Sequence, residues 1–198
     1  MKIERLISGG LMTNGYFVYD ERAMKGYLID PDGNPKKFLD RIKTLKLDLK
    51  GIILTHGHYD HRGAAPRIID EYRCDVLIHE KEEGIPLKIT TYLKDNDEVI
   101  FGKETLRVVN TPGHTKGSIC LISEDGKTIF TGDTIFNVDL GRTDLGSGSL
   151  SDMKKSIKNI VSQWPDDTMI YPGHGDPCSM AFVRKQNWEY NDIINEKI

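Results

Sequence analysis

The sequence reads Thr55-His56-Gly57-His58-Tyr59-Asp60-His61 directly after a short, continuously apolar run at residues 51–54. Such a run is typical of a strand that is buried on both faces. In an extended backbone, side chains two positions apart project to the same side, so His56 and His58 can approach one ion together. The glycine between them permits the tight backbone course that this arrangement requires.

The chemistry of this segment favours a metal site over a solvated loop. A turn after His58 allows Asp60 and His61 to face a second position beside the first. Imidazole nitrogens bind zinc, iron and similar ions, and a carboxylate oxygen completes a mixed nitrogen and oxygen site. A loop that only hydrogen-bonds to solvent does not require three histidines and an aspartate within six residues. We therefore predict that this segment binds metal.

Three further residues of ligand type share a common setting. His114, Asp133 and His174 each follow an apolar run, and a glycine precedes each of them. Loops at strand ends are where rigid scaffolds place functional groups. One histidine alone would more often be structural, but five of the six histidines in the chain stand at such positions. The joint pattern predicts that seven side chains meet in one pocket: His56, His58, Asp60, His61, His114, Asp133 and His174.

The sixth histidine and the cysteines are predicted to be structural. His79 ends an apolar run without a glycine turn or a nearby carboxylate ligand. Cys178 lies close to His174 in the sequence, but nothing beside it indicates an activated thiolate. Cys74 and Cys120 are most simply explained as core residues.

Composition indicates an ordinary globular protein. The 198 residues suit one compact domain, or two fused half-domains that share a core, and we expect a single domain to span residues 1–198. Hydrophobic residues make up 38% of the chain and charged residues 29%. The formal net charge of -3 shows no basic excess, so nucleic acid and anionic membranes are not expected partners.

The cellular compartment is indicated by the cysteines and the first residues. Three cysteines, an odd number at wide spacing, argue against a disulfide framework and for a reducing compartment. The first five residues carry charges where a signal peptide would need an apolar stretch. No apolar run approaches the ~20 residues that cross a bilayer. These features predict a soluble, cytoplasmic protein.

Apolar runs separated by Gly, Pro and Asp predict many strands with a few helices between them. The runs at 1–7, 16–19 and 26–29 indicate an antiparallel meander. Further strands are expected at 51–54, 75–78, 98–101, 105–109, 118–122, 128–131 and 168–171. Helices are expected at 35–47, 65–73 and 151–161, and from an N-cap at Ser179 toward Asn191. This pattern suggests one sheet packed on another, with the helices outside.

The segment His56-x-His58-x-Asp60-His61, followed by the separate His114, Asp133 and His174, resembles the signature of the metallo-β-lactamase superfamily. The resemblance extends over nearly the whole chain. It implies an α+β fold, namely a four-layer αβ/βα sandwich of two mixed sheets with helices on the outer faces. It also implies a cleft at one edge of the sheets that holds the metals.

The same resemblance implies a role for each ligand. His56, His58 and His114 would hold one metal, and Asp60, His61 and His174 a second, with Asp133 bridging the two. Two zinc ions are the expected cofactors, although iron and manganese also fit such ligands. The β-lactamases of this superfamily place a cysteine where Asp133 stands, so antibiotic hydrolysis is not the favoured activity.

The expected chemistry is hydrolysis, with Asp60 and Asp133 as the catalytic residues. Two metals can hold a water between them and lower its pKa toward ~7. We hypothesise that this bridging hydroxide attacks a thioester or ester-like carbonyl, and that Asp60 orients it and accepts its proton. Thioesters are favoured over amides because a thiolate, whose conjugate acid has a pKa of about 8.5, leaves without being protonated first.

Two short stretches refine the resemblance. Residues 132–136, Gly-Asp-Thr-Ile-Phe, and 141–145, Gly-Arg-Thr-Asp-Leu, are similar to the glyoxalase II (hydroxyacylglutathione hydrolase) group and its short relatives. S-lactoylglutathione is therefore the implied type of small-molecule substrate. We expect no long helical extension after His174 of the kind that helps glyoxalase II enzymes hold glutathione. Arg142 is the candidate for binding a substrate anion, although its residue type suits a surface position equally well.

Three other functions stay open at this stage. Persulfide dioxygenases share a similar stretch, and the resemblance implies one iron held by residues that match His56, His114 and Asp133. The presence of His174 in a Pro-Gly-His turn favours two metals instead. Nucleic-acid processing lacks a basic surplus to support it. A binding protein without catalysis is disfavoured because all seven ligand positions hold competent residues.

Overall fold

The computed structural model describes residues 1–196, and its first half forms a six-stranded mixed sheet. The strands lie side by side in chain order: β1 (Lys2–Ser8), β2 (Thr13–Asp20), β3 (Lys25–Ile29), β4 (Asp48–Ile53), β5 (Asp75–His79) and β6 (Thr91–Leu93). Strands β1 to β3 form the predicted antiparallel meander, and β3 to β6 are parallel. The predicted domain end, residues 197 and 198, lies outside the described residues.

The second half forms a second six-stranded mixed sheet. Its strands are β7 (Glu98–Phe101), β8 (Glu104–Asn110), β9 (Ile119–Ser123), β10 (Thr128–Gly132), β11 (Met169–Pro172) and β12 (Cys178–Ser179), again adjacent in chain order. All neighbouring pairs are antiparallel except β10 and β11. That pair is parallel because a long connection containing a helix joins the two strands, as a parallel crossover requires.

Five helices cover the outer faces of the two sheets. They are α1 (Pro35–Leu45), α2 (Ala65–Tyr72), α3 (Leu150–Asn159), α4 (Met180–Gln186) and α5 (Trp188–Asn195). None of these described helices combines the length and apolarity needed to cross a bilayer.

The alternation along β2 shows how the layers stack. Phe17 and Tyr19 pack with residues of α1 and α2, whereas Tyr16 and Val18 pack with residues of the second sheet. Every residue of β2 is buried because both faces of the strand are covered. A third apolar cluster joins the outer face of the second sheet to α3, α4 and α5. The order helix, sheet, sheet, helix confirms the predicted four-layer αβ/βα sandwich.

The first and the last predicted helices end at other residues than predicted, for local reasons. Helix α1 ends at Leu45 rather than at residue 47, because Lys46 adopts a left-handed conformation with φ of 52°. The backbone N–H of Leu47 then donates to the carbonyl of Ile42 at 3.1 Å, which closes the helix. The last helix does begin after the predicted N-cap Ser179, but it is interrupted at Asn187, whose side chain caps the separate helix α5.

The topology places the functional segments at one edge of the sandwich. Strands β3 and β4 run in the same direction in the first sheet, and β8, β10 and β11 share a direction in the second. The predicted ligands follow the carboxyl ends of β4, β8, β10 and β11. Loops at these ends therefore meet over one cleft.

Candidate metal centre

The structure brings all seven predicted ligand residues together in the cleft. One group of potential ligand atoms comes from His56, His58 and His114, and another from Asp60, His61 and His174. Within each group the atoms lie within 4.8 Å of one another. Each triad takes two residues from the loop after β4 and one residue from the second sheet. Asp133 lies between the triads, and a third group joins it to His56 and His61.

The distances in the first triad fit a shared cation. His58 Nδ1 lies 3.1 Å from His56 Nε2 and 2.8 Å from His114 Nε2. Two ligands of a tetrahedral zinc ion stand roughly 3.3 Å apart, since each lies about 2.0–2.1 Å from the ion. Burial lowers the pKa of all three imidazoles. Neutral imidazole is the form that binds metal.

The second triad is slightly wider and includes a carboxylate. His174 Nε2 lies 3.3 Å from His61 Nε2 and 3.4 Å from Asp60 Oδ2. The distance from His61 Nε2 to Asp60 Oδ2 is 3.8 Å. A carboxylate and two imidazoles form a mixed oxygen and nitrogen set that suits zinc or iron.

Asp133 is placed to contact both triads. Its Oδ2 lies 3.5 Å from Nε2 of His114 and 3.5 Å from Nε2 of His174, and its Oδ1 lies 3.3 Å from Nε2 of His61. Among the described residues, the buried Oδ1 has no partner with hydrogen-bond geometry. A buried carboxylate oxygen without a partner is costly. A bound cation would supply the positive charge that stabilises this oxygen.

The electrostatics of the second triad also favour positive charge. Burial alone would raise the pKa of the Asp133 carboxyl, but His61 and His174 lower that pKa well below its usual range. Burial alone would lower the pKa of His61, but the carboxylates of Asp133 and Asp30 raise that pKa well above its usual value. The residues around His61 Nε2 therefore stabilise a cation, and a metal ion can replace the proton there.

Backbone carbonyls fix the orientation of two of the histidines. His114 Nδ1 donates to the carbonyl of Arg142 at 2.7 Å, and His174 Nδ1 donates to the carbonyl of Leu11 at 3.1 Å. A carbonyl oxygen only accepts hydrogen bonds, so the proton of each ring must be on Nδ1. In the neutral form of both rings, Nε2 therefore carries the lone pair that faces the cleft, as metal-binding histidines require.

Asp30 and Thr55 orient two other histidines, and the sequence analysis identified neither of them. Asp30 Oδ2 accepts from His61 Nδ1 at 2.9 Å, and the Asp30 carboxylate accepts from the Thr55 N–H at 2.8 Å and the Thr55 hydroxyl at 2.6 Å. Since the Thr55 hydroxyl donates to Asp30, His56 Nδ1 must donate to that hydroxyl, at 3.2 Å. Nε2 of each ring is then the atom that can bind a metal, which at His61 replaces a proton.

A sequence signal for Asp30 did exist. The residue follows β3 directly, and β3 pairs in parallel with β4, so its side chain lies at the same sheet edge as the histidine-rich loop. Its neighbours, Pro31 and Asp32, made the segment resemble an ordinary turn.

The loop that carries His174 is held against β2. The Asn14 side chain donates to the carbonyls of Pro172 at 2.9 Å and Gly175 at 2.7 Å, and the Tyr16 hydroxyl donates to Pro172 at 2.6 Å. Gly173 must lack a side chain, because a Cβ there would collide with Asp133 Oδ1. This close approach explains the glycine before the predicted ligand.

A cleft of about 620 Å³ opens above the candidate metal centre. Its apolar wall contains several side chains that are partly or largely exposed: Leu11, Tyr59, Phe136, Val138 and Leu145.

The predicted anion-binding residue, Arg142, also lines the cleft. Its guanidinium is engaged by Asp144, with Nε to Oδ1 at 2.7 Å and Nη2 to Oδ2 at 2.8 Å. The contact of Arg142 with the candidate metal ligands is made by its backbone carbonyl. A role of its side chain in binding substrate stays a prediction.

The residues predicted to be structural lie outside the ligand groups found in residues 1–196. His79 is buried, and its Nδ1 accepts from the backbone N–H of Lys81 at 3.3 Å. Cys74 and Cys120 are buried free thiols, and Cys178 is half-buried. Burial raises the pKa of Cys178 to about 11, so it is not an activated thiolate.

Comparison with known proteins gives matches over most of the chain. The family model described as metallo-beta-lactamase superfamily matches residues 8–174. Hydroxyacylglutathione hydrolase GloC of Haemophilus influenzae is 29% identical over 206 residues, which cover 94% of this chain and 97% of that protein.

Two solved structures are also similar. ETHE1 from Myxococcus xanthus has a TM-score of 0.88 and 27% identity, covering 100% of this chain and 86% of that one. The protein TTHA1623, solved in a di-iron-bound form, has a TM-score of 0.83 and 27% identity, covering 93% of this chain and 98% of that one.

Proposed function

Because the chain belongs to the metallo-β-lactamase superfamily, we propose that it is a binuclear metal-dependent hydrolase acting on a thioester such as S-lactoylglutathione or a related small ester-like substrate. The observation that carries the proposal is the position of Asp133, whose carboxylate lies 3.3–3.5 Å from histidine nitrogens of two complete triads. The similarity to GloC supports the thioester, and the di-iron form of TTHA1623 supports a site for two metals.

The proposed ligands are those predicted from the sequence. His56, His58 and His114 would hold one ion, and Asp60, His61 and His174 the other, with Asp133 shared between them. We propose zinc as the metal, because imidazole and carboxylate groups are its common ligands in proteins. Iron and manganese fit the same ligands. When bound, such ions would lower the pKa of a coordinated water and polarise a carbonyl group.

The residues of the chain perform the remaining tasks. Asp60 presents a buried carboxylate to the cleft, so it can orient the attacking water and accept its proton. Water adds to the thioester carbonyl carbon, the carbon–sulfur bond breaks, and the departing thiolate takes up a proton to give a thiol and a carboxylic acid. The thiolate leaves readily, so the reaction needs no further acid of the kind that an amide would require.

Metal content and turnover test the proposal together. We expect purified protein to hold two equivalents of metal and to hydrolyse S-lactoylglutathione, as measured by elemental analysis and by the thiol released. Removal of metal with a chelator is expected to abolish turnover, because the attacking water then keeps the pKa of bulk water, and added zinc should restore it. Full metal loading without hydrolysis of any thioester, ester or lactone would contradict the proposal.

The persulfide dioxygenase activity is the second candidate, and the similarity to ETHE1 favours it. It requires one equivalent of iron and consumption of oxygen, which the same metal analysis and an oxygen electrode would detect. The complete second triad, with Asp60 only 3.4 Å from His174, favours the hydrolase. The cytoplasmic location, the small-molecule partner and the assignment of residues 1–198 to one domain stay predictions.

A further inference from the structure

A second cleft adjoins the one above the candidate metal centre. Its volume is about 390 Å³, and its walls include the apolar side chains of Leu150, Met153 and Trp188. Trp188 is 61% exposed, which is unusual for a tryptophan and leaves its ring open to a ligand. The two clefts share Asp139, Gly141 and Arg142 in their linings. We refer to the two adjoining clefts together as the groove, with the candidate metal centre in one cleft and Trp188 in the other.

The groove is poor in positive charge. Among the described residues that line either cleft, Arg142 is the one lysine or arginine. Three acidic residues that are not candidate metal ligands line the groove: Asp139, Glu189 and Asp192. Outside the centre itself, the groove therefore repels the carboxylates of a ligand.

The single arginine is already paired with an acid. The two hydrogen bonds from Arg142 to Asp144 form the bidentate arrangement in which a substrate carboxylate would otherwise be bound. Both side chains are exposed, so the pair adds little to stability. Asp144 nevertheless lies only two residues away in the chain, so it competes with any free carboxylate at a high local concentration.

We propose that the site prefers thioesters whose thiol arm is uncharged, and that Asp144 is a specificity-determining residue because it keeps Arg142 from binding a substrate carboxylate. The inference rests on the proposed function and narrows its substrate class. A glutathione thioester carries two carboxylates against one ammonium, whereas an amide-linked arm such as N-acetylcysteamine is neutral. The apolar walls, including Trp188, suit the neutral arm.

Two thioesters with the same acyl group test the preference in the metal-loaded enzyme. We expect S-lactoyl-N-acetylcysteamine to have a kcat/KM about fivefold or more above that of S-lactoylglutathione, with the difference mainly in KM, since the repulsion acts on binding. We define the selectivity ratio as kcat/KM for S-lactoylglutathione divided by kcat/KM for S-lactoyl-N-acetylcysteamine. Asp144→Asn should raise this ratio by about two- to fivefold, the effect expected from one exposed ion pair. Adding Arg142→Gln to that variant should cancel the gain.

The matched control is Asp166→Asn, which also removes a carboxylate paired with an arginine, the half-buried Arg184, but lies away from both clefts. The ratio should not change in this control. Two results would overturn the inference and leave the proposed function intact. One is a wild-type kcat/KM that is higher for S-lactoylglutathione than for S-lactoyl-N-acetylcysteamine, and the other is an unchanged ratio of the two values in Asp144→Asn. Failure to hydrolyse either thioester at full metal loading would overturn both.

Discussion

Replacing Asp133 with alanine is expected to lower kcat by about 10²–10³-fold, the loss seen when one preorganised charged or polar group is removed from an active site. The carboxylate lies between two triads, and its Oδ1 has no hydrogen-bond partner among the described residues. Alanine removes the negative charge that faces His61, His114 and His174. The variant should therefore also retain less metal than wild type.

Metal content and turnover of this variant are measured on the same preparation. Asp133→Asn keeps the shape of the side chain without its charge, so it separates packing from electrostatics and should lose nearly as much activity. Asp125→Ala is the matched control, since Asp125 lies in the turn before β10, at the opposite end of the strand that Asp133 follows. Wild-type turnover and metal content in Asp133→Ala would refute the proposed mechanism.

Replacing Asp30 with alanine is expected to cost at least about 3 kcal/mol of the free energy of unfolding. The substitution leaves three donors without their partner: the backbone N–H and hydroxyl of Thr55, and Nδ1 of His61. Each buried donor that loses its acceptor costs about 1–3 kcal/mol. Since Asp30 also orients His61, metal affinity should fall by about 10–100-fold.

Denaturant unfolding of the metal-free protein measures the first effect, and competition with a chromogenic chelator measures the second. Asp20→Ala is the matched control. Asp20 is also buried and accepts from three backbone N–H groups, those of Arg22, Ala23 and Lys103, but it lies outside the metal groups. Both variants should lose stability, and only Asp30→Ala should lose metal affinity. Equal metal affinities in the two variants would exclude an orienting role for Asp30.

The predictable part of the fold is the part with a strong local pattern. Continuous apolar runs identified the central strands, because strands covered on both faces need no polar residues. Strands β6 and β12 were missed because they contain only three and two residues. The break between α4 and α5 was missed because Asn187 caps a helix and also donates to the carbonyls of Phe136 and Asp139. Contacts of that kind depend on distant parts of the chain.

The candidate site divides in the same way. The side chains of the seven predicted ligands carry a chemical signature, and the glycines before three of them mark close approaches such as that of Gly173 to Asp133. The carbonyl of Arg142, which accepts from His114, has no signature, because every residue has a carbonyl. The pairing of Arg142 with Asp144 depends on local backbone geometry, so residue type alone did not show how the arginine is used.

Each triad draws two residues from the first half of the chain and one from the second. Neither half therefore holds a complete triad by itself, and an ion held by either triad would link the two halves in the manner of a covalent crosslink. Separation of the two halves would leave the candidate ligand side chains of each half charged or without partners. We therefore expect metal-loaded protein to unfold in a single cooperative transition. A fragment that ends before His114 would keep the histidine-rich loop but would lack a complete triad of ligands for a cation.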